Sequence, residues 1–239
     1  MNAINQQSLA LEYGQNGYCF IPHLFSNHEV SSWQQECERI WSNPDLSSVE
    51  AFRVDQRKSL GEKARRERVD PVTDISPIFA QLAKDKRLLA LAELLLGEKP
   101  LVFKDKLIVK EPDTLGYELH QDFAYISHLG FPGNKQLVII VAIDPCTSSN
   151  GAIEVVPGLH NQLVPGTDPD TGIISRELLD TGVRDLIEMQ PGDVLIMSSL
   201  CPHSSGPNLS QNNRRILFFT YNGQSCGDLY DTYYDQGKP

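Results

Sequence analysis

Two short segments of the 239-residue chain carry side chains that could hold a metal ion together. The first is Leu119-His120-Gln121-Asp122, and the second is Cys201-Pro202-His203. Residues i and i+2 of an extended segment point to the same face, so we expect the His120 imidazole and the Asp122 carboxylate to converge on one centre. Two histidines and one carboxylate form the facial triad of non-haem Fe(II) oxygenases. The sequence therefore predicts that His120, Asp122 and His203 bind Fe(II) and leave three coordination positions open.

The open positions predict a second ligand beside the metal. A 2-oxo acid can chelate two of them and leave the third for O2. The distal carboxylate of such a co-substrate needs a cation, and arginine supplies a planar, always charged partner. Arg214 and Arg215 open the strand expected after His203. Alternation lets only one of the two face inward, and the spacing from His203 favours Arg214.

The elements that must position these residues change character near residue 100. Before it the chain is mostly helical, with helices expected over 4–13, 26–41 and 85–96 and a short strand over Tyr18–Ile21. Ser26 and Glu29 have the spacing of a capping box, and Gly97 is typical of a helix end.

After residue 100 the pattern is that of many short strands separated by turns. Strands are expected over 101–110, 136–143, 152–156, 185–189, 194–197 and 216–221. Helices followed by many strands favour a sandwich or double-sheet barrel with helices on one side. We predict a single domain over 1–239, with mostly helical support in 1–100, a β core in 101–221 and a tail in 222–239.

The motifs of the second half resemble the phytanoyl-CoA dioxygenase family. They are Leu119-His120-Gln121-Asp122, Asn150-Gly151, Val155-Val156-Pro157-Gly158-Leu159-His160, Gly192-Asp193-Val194, and His203-Ser204-Ser205-Gly206-Pro207-Asn208 before Arg214-Arg215. The resemblance covers about 13–221 and is dense from 101 onward. It implies a mainly β fold with flanking helices, the double-stranded β-helix or cupin-like jelly roll, and an Fe(II)- and 2-oxoglutarate-dependent oxygenase that uses O2.

The resemblance also implies a role for each matching residue. His120, Asp122 and His203 would ligate iron, Arg214 would pair with the distal carboxylate of 2-oxoglutarate, and Ser205 would add a hydrogen bond there. Related halogenases have a small residue where the ligand Asp stands. The presence of Asp122 therefore favours hydroxylation, with release of succinate and CO2.

The substrate is expected to be a small organic anion, such as an organophosphonate or a carboxylate. The basic segment 52–68 is either a solvated loop or a lid over an anionic ligand. Lys106 could point into the barrel towards an anion or outward, and Tyr125 could line the pocket or pack in the core. A chain with few insertions fits a small substrate better than an acyl-CoA.

Composition restricts the partners and the compartment. The chain has 31 acidic and 21 basic residues and a net charge of −10, which disfavours binding to nucleic acid or to an anionic membrane. It has no apolar run of about 18 residues and no signal-like N-terminus. Five scattered cysteines indicate reduced thiols, so we expect a cytoplasmic protein.

Several alternatives stay open at this point. The chain could be a jelly-roll protein that binds a metal or ligand without turnover, or a halogenase or epimerase-like variant of the same site. The tail holds Tyr230, Tyr233 and Tyr234, which could fold over the pocket mouth, form a contact in a homo-oligomer or stay loose.

Overall fold

The structure is a computed structural model that describes residues 5–43, 52–55, 65–175 and 183–235. Its α-helices are α1 (Gln6–Asn16), α2 (Asn27–Ser42), α3 (Pro77–Leu82), α4 (Lys86–Leu96) and α5 (Tyr230–Asp235). Its strands are β1 (Tyr18–Ile21), β2 (Phe52–Asp55), β3 (Arg65–Val69), β4 (Pro100–Lys110), β5 (Tyr117–His120), β6 (Gln136–Ala142), β7 (Ile153–Val155), β8 (Asp185–Ile187), β9 (Val194–Ser198), β10 (His203–Ser205) and β11 (Arg214–Gly223).

The strands form two antiparallel sheets. One has seven strands in the order β1-β9-β6-β11-β4-β3-β2, and the other has four in the order β5-β10-β7-β8. β11 lies at the centre of the larger sheet and pairs with β4 from Arg214↔Lys110 to Gly223↔Pro100. This arrangement confirms the predicted mainly β jelly roll with flanking helices.

Strand β6, which lies next to β11 in the larger sheet, is buried on both of its faces. Its odd-numbered residues, Leu137, Ile139 and Val141, belong to the core cluster shared with α2 and α4. Its even-numbered residues, Val138, Ile140 and Ala142, belong to the cluster on the other side of the sheet, which lines the barrel. Because side chains alternate between the faces of a strand, a strand packed on both faces is apolar throughout.

The helices begin and end where local sequence signals place them. Ser26 and Glu29 form a complete capping box at the start of α2. Asp85 caps α4, which ends at Gly97 in the left-handed conformation, at φ 71°. We expect the first helix to stop near Gly14 and Gly17; α1 runs through Gly14 and ends at Asn16, with Gly17 as its left-handed cap. Among the described residues, no helix is long and apolar enough to cross a membrane.

The first hundred residues contribute more β structure than the sequence indicated. β2 and β3 pair with each other, and β3 adds to the edge of the larger sheet through Arg68↔Ile108 and Val69↔Leu107. Part of the basic segment is therefore a hairpin strand pair. Its residues 56–64 lie outside the described residues, so the choice between a solvated loop and a lid stays a prediction, as does the single-domain assignment.

Candidate active site

The three predicted metal ligands lie together on the side of the smaller sheet that faces the cavity. His120 ends β5, His203 begins β10, and the two residues are direct partners across the ladder, with ring centroids 4.2 Å apart. Asp122 Oδ1 lies 3.8 Å from His120 Nε2, and Asp122 Oδ2 lies 3.9 Å from His203 Nε2. One donor atom from each residue falls within 4.8 Å of the others. The pairing of two strands thus brings together residues that are far apart in sequence.

Main-chain carbonyl groups orient both imidazole rings. His120 Nδ1 lies 2.7 Å from the carbonyl oxygen of Glu118, and His203 Nδ1 lies 3.0 Å from that of Cys201. A ring nitrogen that donates to a carbonyl carries the proton, so the other nitrogen, Nε2, presents its lone pair to the common centre.

The electrostatics of the cluster favour the protonation states that a metal needs. Burial, followed by the neighbouring His203, lowers the pKa of His120 to about 4. Burial alone would raise the pKa of the Asp122 carboxyl, but His203, Lys106 and Lys104 outweigh it and hold that pKa well below its usual range. At neutral pH the site therefore offers a neutral imidazole and a carboxylate.

The donor set fits a divalent iron ion. Two imidazole nitrogens and one carboxylate oxygen are the donors of a facial triad. Within the described part of the chain, the cluster contains no fourth histidine, cysteine, aspartate or glutamate. The three residues line a cavity of about 740 Å³, which would leave room for further ligands on a metal that they hold.

Gln121, between the two ligands of the first segment, holds this turn in place. Its side chain is fully buried. Its Nε2 donates to the carbonyl oxygens of Gln162, at 3.0 Å, and Leu200, at 2.5 Å. Its Oε1 accepts from the Val164 N–H, at 2.8 Å, and the Thr167 hydroxyl, at 3.1 Å. Nothing in the local sequence distinguishes this glutamine from an ordinary polar residue, because its partners lie about 40 and 80 residues later.

The larger sheet supplies the floor of the cavity through two neighbouring strands. On β11 the lining residues are Arg214, Ile216 and Phe218, and on β4 they are Lys104, Lys106 and Ile108. Phe218 pairs with Lys106 and Arg214 pairs with Lys110. At about 3.3 Å per residue, these two pairs lie about 13 Å apart along the strands, so cationic side chains occupy both ends of the cavity floor.

Arg214 faces the cavity and Arg215 does not. Arg214 is 2 % exposed, and its Nε has no hydrogen-bond partner among the described residues. Arg215 instead binds Asp144 through two hydrogen bonds of 2.6 and 2.9 Å and contacts Glu38 at 2.6 Å. The buried guanidinium of Arg214 requires an anion as its partner. The sequence predicts that this anion is the distal carboxylate of the co-substrate.

Ser205 lies in the same cavity as Arg214 and is bound by a lysine that the sequence analysis did not single out. Lys110 is fully buried, and its Nζ donates to Ser205 Oγ at 2.9 Å and to the Gly206 carbonyl at 2.6 Å. Because Ser205 Oγ accepts from Lys110, its own hydroxyl hydrogen can be donated into the cavity.

The Asn150-Gly151 turn is shaped around this lysine. Gly151 has φ +82°, and a Cβ there would lie 2.7 Å from Lys110 Nζ and 2.4 Å from the Gly206 carbonyl oxygen. Only glycine fits such a close approach in this conformation. The alternation of Lys104, Lys106 and Lys110 along β4 is the sequence signal that could have identified Lys110.

Lys106 points inward, which was one of the two orientations left open. It lines the cavity, and its Nζ lies 4.7 Å from the centre of the Phe218 ring. Burial, and then the neighbouring Lys104, lowers its pKa to about 8. Among the described residues it has no hydrogen-bonded acceptor. This lysine is therefore available to an anion inside the cavity.

Tyr125 lines the cavity and also contacts one of the three candidate metal ligands, His120, Asp122 and His203, which are called the metal cluster below. Its hydroxyl donates to Asp122 Oδ1 at 2.9 Å and accepts from Lys104 Nζ at 2.7 Å. Burial raises the pKa of this phenol well above its ordinary value, so it stays a donor. Lys104 is buried, and its Nζ lies 4.9 Å from the centre of the Tyr125 ring. The sequence did not indicate whether this lysine points inward or outward.

The basic segment contributes one described side chain to the cavity. Arg68 lines it, and its Nε lies 3.7 Å from Asp70 Oδ2. The other two carboxylates that line the cavity outside the metal cluster, Glu118 and Asp170, are exposed at its rim. The interior of the cavity beyond the metal cluster is therefore dominated by cations.

Comparison with known proteins adds independent information. The family model described as Phytanoyl-CoA dioxygenase (PhyH) matches residues 13–216. Methylphosphonate hydroxylase of Gimesia maris is 30% identical over 236 residues, which are 98% of this chain and 87% of that protein. 2-Aminoethylphosphonate dioxygenase of an uncultured bacterium is 29% identical, over 93% of this chain and 83% of that protein. Ectoine dioxygenase of Streptomyces avermitilis is 27% identical, over 88% and 76% respectively.

Two solved structures show the same fold. EctD from S. alaskensis with 2-oxoglutarate and 5-hydroxyectoine superimposes with a TM-score of 0.79 at 22% identity, covering 94% of this chain and 79% of that one. The epimerase SnoN with Fe3+, alpha ketoglutarate and nogalamycin RO gives a TM-score of 0.75 at 23% identity, covering 91% and 83%. At this level of identity the two likenesses establish the fold.

Proposed function

Because the chain belongs to the phytanoyl-CoA dioxygenase family and is an oxygenase, we propose that it is an Fe(II)- and 2-oxoglutarate-dependent hydroxylase of a small organic anion, with an organophosphonate as the preferred class. The observation that carries the proposal is the placement of the His120, Asp122 and His203 cluster in one cavity with two separate cationic regions. One contains Arg214, and the other contains Lys104, Lys106 and Arg68.

The first cationic region suits the co-substrate. His120, Asp122 and His203 would hold iron, and Arg214 would bind the distal carboxylate of 2-oxoglutarate through two parallel hydrogen bonds. The Ser205 hydroxyl would donate to the same carboxylate, while Ser205 Oγ accepts a hydrogen bond from Lys110 Nζ. With 2-oxoglutarate and O2, a bound Fe(II) supplies the oxidative chemistry that releases succinate and CO2 and hydroxylates the substrate.

The second cationic region suits the anionic group of the substrate. Lys106 has no hydrogen-bonded acceptor among the described residues, so an anion there would satisfy an ammonium group that burial otherwise destabilises. Two relatives that cover most of this chain are named for phosphonate substrates, which supports an organophosphonate. A carboxylate would bind by the same charge pairing, so it is the alternative within this class.

The carboxylate at position 122 distinguishes hydroxylation from halogenation. Asp122 would fill the third ligand position, which a halogenating site would leave to a halide. Family membership together with the assembled cluster favours an oxygenase over a jelly-roll protein without turnover. The epimerase-like alternative shares the same metal chemistry and differs only in the product.

The test is a screen of anions for substrate-dependent succinate release. Purified protein is incubated with Fe(II), 2-oxoglutarate and O2 and with methylphosphonate, 2-aminoethylphosphonate or a short carboxylate. The masses of the products are measured by mass spectrometry. We expect release of succinate with at least one phosphonate, and a product heavier by one oxygen atom. A product of unchanged or chlorinated mass would contradict hydroxylation, and no stimulation by any anion would reject the proposed substrate class.

A further inference from the structure

The C-terminal helix α5 packs on the barrel beside the cavity. The chain leaves β11 at Gly223 and turns back, so that α5 lies against β4. Of the three alternatives for the tail, the described residues 230–235 therefore fold onto the barrel. This helix also lies beyond residues 13–216, which the family model matches.

Two tyrosine hydroxyl groups fasten α5 to buried carboxylates. Tyr230 donates to Asp105 Oδ2 and Tyr234 donates to Asp70 Oδ1, both at 2.9 Å. Asp105 is fully buried, and Asp70 is 2 % exposed. Buried carboxylates depend on such donors, so the docked position of the helix is specific rather than incidental.

Tyr233 is held between these two anchors and faces the cavity. Residues i, i+3 and i+4 share one face of a helix, so the three tyrosines point towards the barrel together. The Tyr233 side chain is 7 % exposed, and its ring centre lies 5.0 Å from that of Phe103. Lys104 Nζ lies 5.2 Å from the centre of the Tyr233 ring. The ring therefore forms a wall next to the cations of the second region.

We propose that Tyr233 determines the size of the substrate by forming the wall of the cavity beside its anion-binding cations. The inference rests on the proposed function, because it assigns the anion of the substrate to the region of Lys104 and Lys106. An anion held there leaves its organic group between the metal cluster and the Tyr233 ring. The preferred substrates are then anions that carry a short organic group.

The experiment compares chain length in the wild type, in Tyr233→Ala and in the matched control Tyr233→Phe. The substrates are methyl-, ethyl-, propyl- and butylphosphonate, and kcat/KM is measured for each from succinate release and product formation. Each methylene that does not fit is expected to cost the wild type about tenfold or more in kcat/KM. Tyr233→Ala should flatten this decline, whereas Tyr233→Phe should retain it because the ring remains.

A second variant and an internal reference make the result interpretable. Tyr233→Leu fills part of the space and should move the length limit by less than Tyr233→Ala, which keeps the test decisive if the alanine variant does not fold. The KM for 2-oxoglutarate should stay within about twofold in all variants, since Arg214 and Ser205 lie at the other end of the cavity floor.

The outcomes separate the two proposals. If the wild type turns over short phosphonates and a folded Tyr233→Ala or Tyr233→Leu variant shows the same length profile, Tyr233 does not limit substrate size. If the wild type turns over no phosphonate or carboxylate, the proposed function itself is rejected, and the role of Tyr233 with it.

Discussion

Lys110 and Arg214 are direct partners across the β4–β11 ladder, and both side chains are almost completely buried. Two cations on adjacent strands repel each other in an interior of low dielectric constant. A bound dicarboxylate would relieve this repulsion at the end of the cavity where Ser205 also donates. The pair thus defines one end of the site, and the metal cluster and the Lys106 region lie beyond it.

Replacing Lys110 by methionine should weaken the binding of 2-oxoglutarate without a matching loss of kcat. The volume is conserved, but Ser205 loses the donor that orients its hydroxyl, at a cost of about 1 kcal/mol, or about fivefold in KM. The part of the effect that passes through the hydrogen bond from Lys110 Nζ to Ser205 Oγ should disappear when Ser205 is already alanine, so the two substitutions should be less than additive in the double variant. Steady-state kinetics with varied 2-oxoglutarate measure this, and fully additive effects would show that Lys110 acts by another route.

Arg214→Ala and Arg215→Ala form a matched pair of adjacent substitutions. Loss of Arg214 should raise the KM for 2-oxoglutarate more than 100-fold, since a buried carboxylate without its cation costs about 3–5 kcal/mol. Loss of Arg215 breaks its contacts with Asp144 and should lower the melting temperature while the KM for 2-oxoglutarate stays nearly unchanged. The reverse pattern would mean that the inward-facing arginine has been misassigned.

Gln121→Leu should impair metal binding although Gln121 is not a ligand. The substitution leaves buried carbonyl and N–H groups of the 162–167 segment and of Leu200 unsatisfied, which we expect to lower the free energy of unfolding by about 3 kcal/mol. Displacement of the turn between His120 and Asp122 should weaken Mn(II) or Fe(II) binding by about 10–100-fold. Calorimetric titration measures the affinity. Gln190→Leu, at an exposed position, is the control and should change neither quantity.

The pH dependence of substrate binding should report Lys106. Its lowered pKa of about 8 means that the ammonium group is charged below that pH and lost above it. The kcat/KM for an anionic substrate should therefore fall as the pH rises through about 8, while a bound anion favours the charged form. Lys106→Arg should move this fall to higher pH because a guanidinium remains charged. Lys106→Met should remove it and raise the substrate KM below about pH 8, where the wild-type lysine is charged, whereas the two proteins should converge above that pH. An unchanged alkaline limb in Lys106→Met would assign it to another group.

Local rules were sufficient to predict the pairing of His120 with Asp122 and the inward arginine. The spacing of His120 and Asp122 indicated a shared centre, although Asp122 lies in the turn after β5 and not in the strand. Alternation along β11 separates Arg214 from Arg215, and the strand core at β6 follows from its apolar run. The same rule shows that Lys104 and Lys106 share a face, but it does not say which face. That depends on the packing of the whole sheet, so the inward orientation of Lys106 was left open.

Features built from distant segments could not be predicted. β10 has three residues, too few for a periodic signal, and it is defined by its partners β5 and β7. The contacts of Gln121 and Lys110 join residues more than 40 positions apart, and the docking of α5 depends on Asp70 and Asp105 in other elements. Such contacts are set by register and topology, which a single sequence does not reveal.

The carbonyl groups of Glu118 and Cys201 that orient the two imidazoles have one further consequence. A backbone acceptor is present whatever side chain occupies its residue, so no exchange of an amino acid there removes it directly. Residues of the cavity wall, such as Tyr233 or Lys106, can therefore be exchanged without removing the hydrogen bonds that orient the two imidazole rings. This makes the protein a suitable starting point for directed evolution of altered selectivity.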